Sequence, residues 1–397
     1  MTSGILSKLS GPEFTSSHRA RRSAYIGRPR QFSTESRLSR NEHIYLDWNA
    51  TAPMRAEAVD AMRDAAVNWA NPSSVHAPGR GARGALETAR EEIAAGLGAL
   101  PDQLIFTSGG TEAASLAMQG VAADRRFVSE IEHSAVLAAA PDAARVPVNA
   151  NGTVDLRALE ALLDGRPALV GVMHANNETG AIQPIAQIYE LVNATGGKLF
   201  VDAVQTAGKM PLPPADFLAV SAHKLGGPPG TGALIARCAT GLSALQKGGG
   251  QERGQRGGTE NLPGIAGFAA AVSACRRGWL NDAAARRDRL ETRLRAAGAH
   301  VFAADAERLP TTSMIRMPGA QAAMQLIHFD MAGIAVSSGA ACSSGKVAAS
   351  HVLRAMGIAE AEAAEAIRVS TGWSTTDAHV DAFCDIWERL AARRKAA

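Results

Sequence analysis

The residues with most chemistry in this chain are Ser221, His223 and Lys224, delivered together by a run readable as a buried strand, 217–220. Beyond them Gly226-Gly227-Pro228-Pro229-Gly230 makes a stiff turn. A lysine held at a strand end and stripped of water loses its proton more easily, and its amine becomes a nucleophile toward carbonyl carbon. Asp202 closes the preceding apolar run, in Phe200-Val201-Asp202-Ala203-Val204-Gln205, the kind of position where α/β ligand sites open. His133, in Glu132-His133-Ser134, follows another such run, where an imidazole can stack on a flat ligand and shuttle protons. Thr107-Ser108-Gly109-Gly110-Thr111-Glu112 leads from a strand into a helix, whose first N–H groups attract an anion. Cys342 lies in a loop of small residues, 337–346, the setting of an accessible and reactive thiol.

Taken singly, each feature has an ordinary reading. Lys224 could be an exposed turn residue, Asp202 a helix cap, His133 structural and Cys342 an inert loop thiol. Taken together they match the needs of pyridoxal phosphate: a Schiff-base lysine, an acid for the pyridinium nitrogen and donors for the phosphate. No Walker motif or dinucleotide fingerprint competes for the phosphate seat.

The elements that must position these residues follow from hydrophobic patterning. Apolar, β-branched runs occur at 104–106, 127–129, 169–173, 199–201, 218–220 and 233–236, most of them separated by helix-length segments. Near-continuous apolar strands alternating with helices predict a mostly parallel sheet flanked by helices. Order is expected to begin at 44–47, with a helix opening at about 54 after Pro53, another over 81–97, and a long Arg/Ala helix over 263–299. The pattern then shifts to short mixed elements, predicting a smaller α+β domain. The expected division is an N-terminal extension over 1–43, a large domain over 55–280, and a small domain from 44–54 with 281–397.

The chain has 397 residues and a net charge of +3, but residues 1–41 hold +6 of it and the remainder carries −3. A slightly acidic body gives no electrostatic case for nucleic acid, and no apolar run approaches membrane-spanning length. The basic, Ser- and Arg-rich N-terminus reads either as an organellar transit peptide or as a dispensable extension. Four cysteines, at 238, 275, 342 and 384, form no C-x-x-C pair, which predicts a reducing compartment such as the cytoplasm and no metal site. Cys238, Cys275 and Cys384 read as packing residues.

Over about 45–373 the sequence resembles the cysteine desulfurases of the NifS/IscS type, in the class V aminotransferase group of fold-type-I pyridoxal phosphate enzymes. The motifs in common, in order, are Tyr-Leu-Asp, Asn-Pro-Ser-Ser, Thr-Ser-Gly-Gly-Thr-Glu, Glu-His-Ser, His-Ala-Asn-Asn-Glu-Thr-Gly, Val-Asp-Ala-Val-Gln, Ser-Ala-His-Lys, Gly-Gly-Gly-Gln-Glu, Ser-Ser-Gly-Ala-Ala-Cys and Ile-Arg-Val-Ser. The resemblance implies that Lys224 bonds the cofactor, that His133 stacks on its ring and moves protons, and that Asp202 pairs with the ring nitrogen. Gln205 and Asn177 would contact the ring hydroxyl side. Thr111, Ser221 and His223 would bind the phosphate, with backbone from Gly110. Thr259 would reach the phosphate held by a partner subunit, which implies a homodimer. Arg368 and Asn71 would hold the substrate carboxylate, and Cys342 would take sulfur from L-cysteine as a persulfide, leaving L-alanine.

The resemblance also implies a sulfur-acceptor or iron–sulfur scaffold protein as partner. The residues around Cys342 look like the long-loop group of the family. Two positions depart from the common pattern: Gly257 stands where Ser is frequent, and Pro229 where Lys is frequent. The chain runs only briefly past the helix holding Trp387, so the longer scaffold-docking tail of some members has no counterpart. Other class V chemistries, those of a selenocysteine lyase, a transaminase or an epimerase, make Cys342 incidental and are the alternatives.

Overall fold

The computed structural model describes residues 43–67, 69–238, 241–275, 278–339 and 349–395. Its centre is a seven-stranded sheet in the order Leu104–Thr107, Gly232–Ala236, Phe217–Ser221, Lys198–Asp202, Leu169–Met173, Arg126–Ser129 and Ala144–Val146. The last five strands run parallel, whereas Gly232–Ala236 is antiparallel to both of its neighbours. The mostly parallel expectation therefore holds, with the exception confined to one end. The Ala144–Val146 edge strand has too short an apolar signature to have been expected.

Alternation along each strand sends side chains into two apolar layers, one on each face of the sheet. Leu199, Val201, Leu218 and Val220 enter one layer with Leu86, Ile93 and Phe268. Phe200, Phe217 and Ala219 enter the other with Met118 and Val128. Burial on both faces is why these strands read as unbroken apolar runs.

The helix Ala77–Leu97 starts four residues before its expected position. His76 caps it by accepting from Gly79 N, and Pro78 sits in its first turn, where a missing N–H costs nothing. The segment expected as one helix over 263–299 is two, Leu262–Ser273 and Trp279–Ala296. The first helix opens beyond the Asn261 cap, also with Pro in its first turn. The helix after Pro53 begins only at Ala56.

The C-terminal third forms a separate antiparallel sheet in the order Ala366–Ser370, Thr312–Arg316, His300–Val301. Its core packs Trp387, Phe383 and Phe329, the two phenylalanine rings stacking at 4.6 Å. Ile44–Tyr45 pairs in parallel with Ile334–Ala335, which ties the start of the described chain to this region. Cys384 is buried there and its thiol is pushed up to about 12 by burial. Cys238 and Cys275 are only half-buried, so they pack less completely than the sequence suggested. Among the described residues no helix is long and apolar enough to cross a membrane, and no group of metal-ligating side chains forms.

Candidate active site

The carboxyl ends of the parallel strands open on one cavity of about 470 Å³. Strand Lys198–Asp202 brings Asp202, strand Phe217–Ser221 brings Ser221 and, one turn on, His223 and Lys224. His133 caps the helix Ser134–Ala139, beyond strand Arg126–Ser129. Gly110 and Thr111 open the helix Gly110–Gly120. Asn177, Gln205 and Arg368 also line the cavity. Ten of the thirteen residues singled out in the sequence thus converge.

Lys224 Nζ donates to the carbonyls of Asn49, at 2.6 Å, and Ala50, at 2.9 Å. Burial, helped by Arg368, lowers its amine to about 8, against the pull of Asp202 and Asp47. Asp202 accepts from Val204 N at 2.9 Å. Burial raises its carboxyl, opposed by that N–H, His133 and Lys224. His133 Nδ1 accepts from Ala135 N at 3.2 Å, and burial holds the ring below the usual histidine range. The neutral ring therefore carries its proton on Nε2. His223 lies with Nδ1 3.1 Å from Thr51 Oγ1, and burial brings it down to about 4.

Arg368 is placed by Asp47 Oδ1, which accepts from Nη2 at 2.6 Å, and by the Asn177 carbonyl, which accepts from Nη1 at 3.0 Å. Its buried Nε has no partner among the described residues. The segment Asp47–Arg55, to which sequence reasoning gave no site role although Asp47 closes the Tyr-Leu-Asp motif, brings Asp47, Asn49 and Ala50 to the cavity wall. Asn49 Nδ2 donates to Asn177 O and to Thr312 Oγ1, and Gln205 Nε2 donates to Asn49 O at 3.0 Å. Ala52 N donates to His223 O, and Arg55 binds Leu225 O and Gly226 O on either side of the lysine turn. A signal was available: a buried arginine demands a carboxylate, and Asp47 is the acid in Tyr-Leu-Asp.

Two of the expected residues do not line the cavity, and a third lies outside the described residues. Asn71 is exposed and its Oδ1 accepts from Ser73 N at 2.8 Å, so it does not line the cavity. Thr259 is exposed and does not line the cavity of its own chain. Cys342 lies outside the described residues. On either side of its segment, Glu178 accepts from Ser350 Oγ, and a Cβ at Gly339 would come within 3.1 Å of Glu178 Oε2. Gly339 lines the cavity, and the buried carboxylate of Glu178, next to Asn177, holds Ser350.

The glycine at 257 has a local cause. A Cβ there would sit 2.6 Å from Gly248 N, which leaves no room for serine. The loop is pinned by Glu252, which takes a bidentate pair from Arg90 at 2.7 and 2.8 Å and the N–H of Phe106. Arg256 reaches Glu112 at 2.8 Å, in the first turn of the helix that Gly110 opens.

The cavity fits pyridoxal phosphate on its own chemistry. It offers an amine of lowered basicity, a carboxylate needing a cation, a neutral imidazole and a helix N-terminus flanked by hydroxyls. Gln205 Oε1 is buried without a partner among the described residues. At Gly110 a Cβ would meet Val204 Cγ2 at 2.7 Å, so the backbone there approaches the cavity as only glycine allows.

Comparison with known proteins agrees. The Aminotransferase class-V family model matches residues 44–383. A cysteine desulfurase of Cereibacter sphaeroides is 40% identical, covering 87% of this chain and 95% of its own length. The cysteine desulfurase IscS of Dictyoglomus turgidum is 36% identical, covering 87% and 94%. A solved NifS-like protein from Rickettsia africae superposes with a TM-score of 0.80 at 33% identity, covering 88% of this chain and 99% of that one. The chain belongs to the class V aminotransferases and, within them, to the cysteine desulfurases, enzymes that depend on pyridoxal phosphate.

Proposed function

We propose that the protein moves sulfur from L-cysteine to its own Cys342 and releases L-alanine. The observation that carries this reading is the convergence of Lys224, Asp202, His133 and Arg368 on one cavity, on the same side as Gly339, three residues before Cys342. Pyridoxal phosphate, when bound, supplies an electron sink for charge developing at the substrate Cα.

Lys224 is the residue that bonds the cofactor. An amine lowered to about 8 keeps a reactive neutral fraction near physiological pH and can carry a proton to and from the substrate. Asp202, raised by burial, gains a partner when it faces a protonated ring nitrogen. His133 presents its Nε2 edge and moves a proton there. Thr111, Ser221, His223 and the N–H groups at Gly110 hold the phosphate, and Gln205 with Asn177 faces the ring oxygen. Arg368 receives the substrate carboxylate through the N–H groups that Asp47 and Asn177 leave open.

The Cys342 thiolate then attacks the substrate Sγ. An S–S bond forms as the Cβ–S bond breaks, and the electron pair left on Cβ takes a proton. Cysteine plus thiol gives alanine plus persulfide, so no outside oxidant is needed. An acceptor protein for this sulfur, in iron–sulfur cluster assembly or another sulfur pathway, follows from the chemistry.

The exposed position of Thr259, away from its own cavity, supports a homodimer in which it serves the partner subunit. The low cysteine count supports a reducing compartment such as the cytoplasm. Trapping with an alkylating reagent after a short exposure to L-cysteine, followed by peptide mass spectrometry, tests the reading. One extra sulfur on the Cys342 peptide is expected, and its absence while alanine forms would remove Cys342 from the mechanism.

A further inference from the structure

Cys342 stands three residues beyond Gly339 and eight before Ser350. Three residues of chain span at most about 11 Å, so Gly339, which lines the cavity, limits how far from it the backbone of Cys342 can lie. This near flank is fixed mainly by main chain. Ser337 donates to the Arg368 carbonyl at 3.2 Å and accepts from the Arg368 N–H at 2.5 Å. Gly339 N donates to Ser337 Oγ at 3.1 Å. Its φ is 84°, and a Cβ would meet Met314 Cε at 3.0 Å, so the close approach needs glycine.

The far flank is fixed by side chains for which the chemistry above has no use. Ser350 caps the helix His351–Ala355 by accepting from Leu353 N at 3.1 Å, and donates its own hydrogen to Glu178. Both residues are 2% exposed. Glu178 is set in turn by Asn176, whose Oδ1 accepts from the N–H groups of Glu178 and Thr179, each at 2.9 Å. His351 Nε2 donates to the carbonyl of Glu132 at 3.0 Å. The far flank is thus bonded to the residues next to Asn177 and His133, two of the groups that line the cavity.

Attack of one sulfur on another demands close alignment of the reacting atoms. A chain held at both ends samples far less space than one held at a single end, which raises the local concentration of a group between them. Glu178 does not itself line the cavity, so it acts through Ser350.

We propose that Glu178 is a positioning residue for the sulfur-transfer step: it holds Ser350, and with it the far flank of Cys342, beside the cavity, with His351 as the second point of attachment. The role rests on Cys342 being the sulfur carrier, as proposed above.

Rapid mixing of the cofactor-loaded enzyme with L-cysteine separates two rates. One is the first change in the visible cofactor band, and the other is the appearance of persulfide on the Cys342 peptide, read by quenching and mass spectrometry. Glu178→Ala should leave the first rate near the parent's and slow the second by about a hundredfold, the cost of misplacing a reacting group by about 1 Å. Glu178→Gln keeps an acceptor oxygen for Ser350 and should recover most of that loss. Persulfide at the parent rate in Glu178→Ala overturns the proposal. Equal slowing of both steps overturns it too, since a merely structural defect would give that result. Should Glu178→Ala fail to fold, His351→Phe keeps a ring without the N–H and should slow persulfide formation about tenfold, the loss of one hydrogen bond. Persulfide at the parent rate in that variant would count equally against the proposal. Cys342→Ala, run alongside, keeps the two readings apart. Alanine formation by Cys342→Ala removes the sulfur carrier itself, whereas an inactive Cys342→Ala beside an unaffected Glu178→Ala removes only the positioning role.

Discussion

The two walls of the cofactor cavity are built on different principles. One is made of strand ends: Asp202, Ser221 and the Lys224 turn project from a sheet buried on both faces. The other is the irregular segment Asp47–Arg55, held largely by hydrogen bonds, many of them to distant parts of the chain. The first wall gains its precision from close packing, and the second from polar contacts, several of which reach across more than 100 residues of chain. Substitutions should therefore fail differently on the two sides: chemistry is lost at the strand ends, while geometry and affinity are lost at the segment.

The largest effect belongs to the strand-end wall. Lys224→Ala should reduce alanine formation by about a thousandfold or more, with the fold intact by circular dichroism. Activity in that variant within tenfold of the parent would move the covalent role to another residue.

Arg90→Ala probes how the Gly-rich loop is fixed beside the same wall. It leaves Glu252 buried without its bidentate partner, at 1% side-chain exposure. A loss of about 3–5 kcal/mol in urea unfolding is expected. A loss below about 1 kcal/mol, the scale of an exposed pair, would mean the pair is not desolvated in solution.

On the segment wall, Asp47→Asn should raise the KM for L-cysteine more than it lowers kcat, by roughly tenfold, because Arg368 loses the ion pair that orients it. Asn49→Ala removes the amide that bridges Asn177 O and Thr312 Oγ1. It should cost about 1–3 kcal/mol. An equal fall in kcat for both variants would show that the two walls do not divide the work in this way.

A last effect, spread over a pH range, is a pH dependence of stability. Burial holds the Lys224 amine down at about 8 in the folded, cofactor-free protein, below the ordinary lysine value of 10.5. Between those values the unfolded chain binds the extra proton, so stability of the cofactor-free protein should rise as pH goes from 8 toward 10.5. Lys224→Met should flatten part of that rise, with Lys209 supplying a second contribution of the same sign. A fall in the parent's urea midpoint over this window would contradict the buried-amine assignment.

The same division explains what was legible in the sequence. Strand ends announce themselves, because an unbroken apolar run stops at a polar residue, as Leu199 to Val201 stops at Asp202. The positions of Lys224, His133 and Thr111 followed from that rule together with the motifs. Asp47 and Asn49 have no periodicity to betray them, and their partners Arg368 and Thr312 lie 321 and 263 residues away. Asn71 stood in an Asn-Pro-Ser-Ser motif, yet its side chain closes a local turn with Ser73, a use of asparagine that motif reading does not separate from ligand binding. The break before Trp279 was hidden because Ala- and Arg-rich stretches favour helix on both sides of it.

The most direct test of the account measures alanine released from L-cysteine in the presence of a reductant, comparing the parent with Cys342→Ala. The account predicts turnover by the parent and none by the variant, both proteins carrying bound cofactor. Equal alanine release by the two would contradict it, since Cys342 would then not be the residue that takes the sulfur.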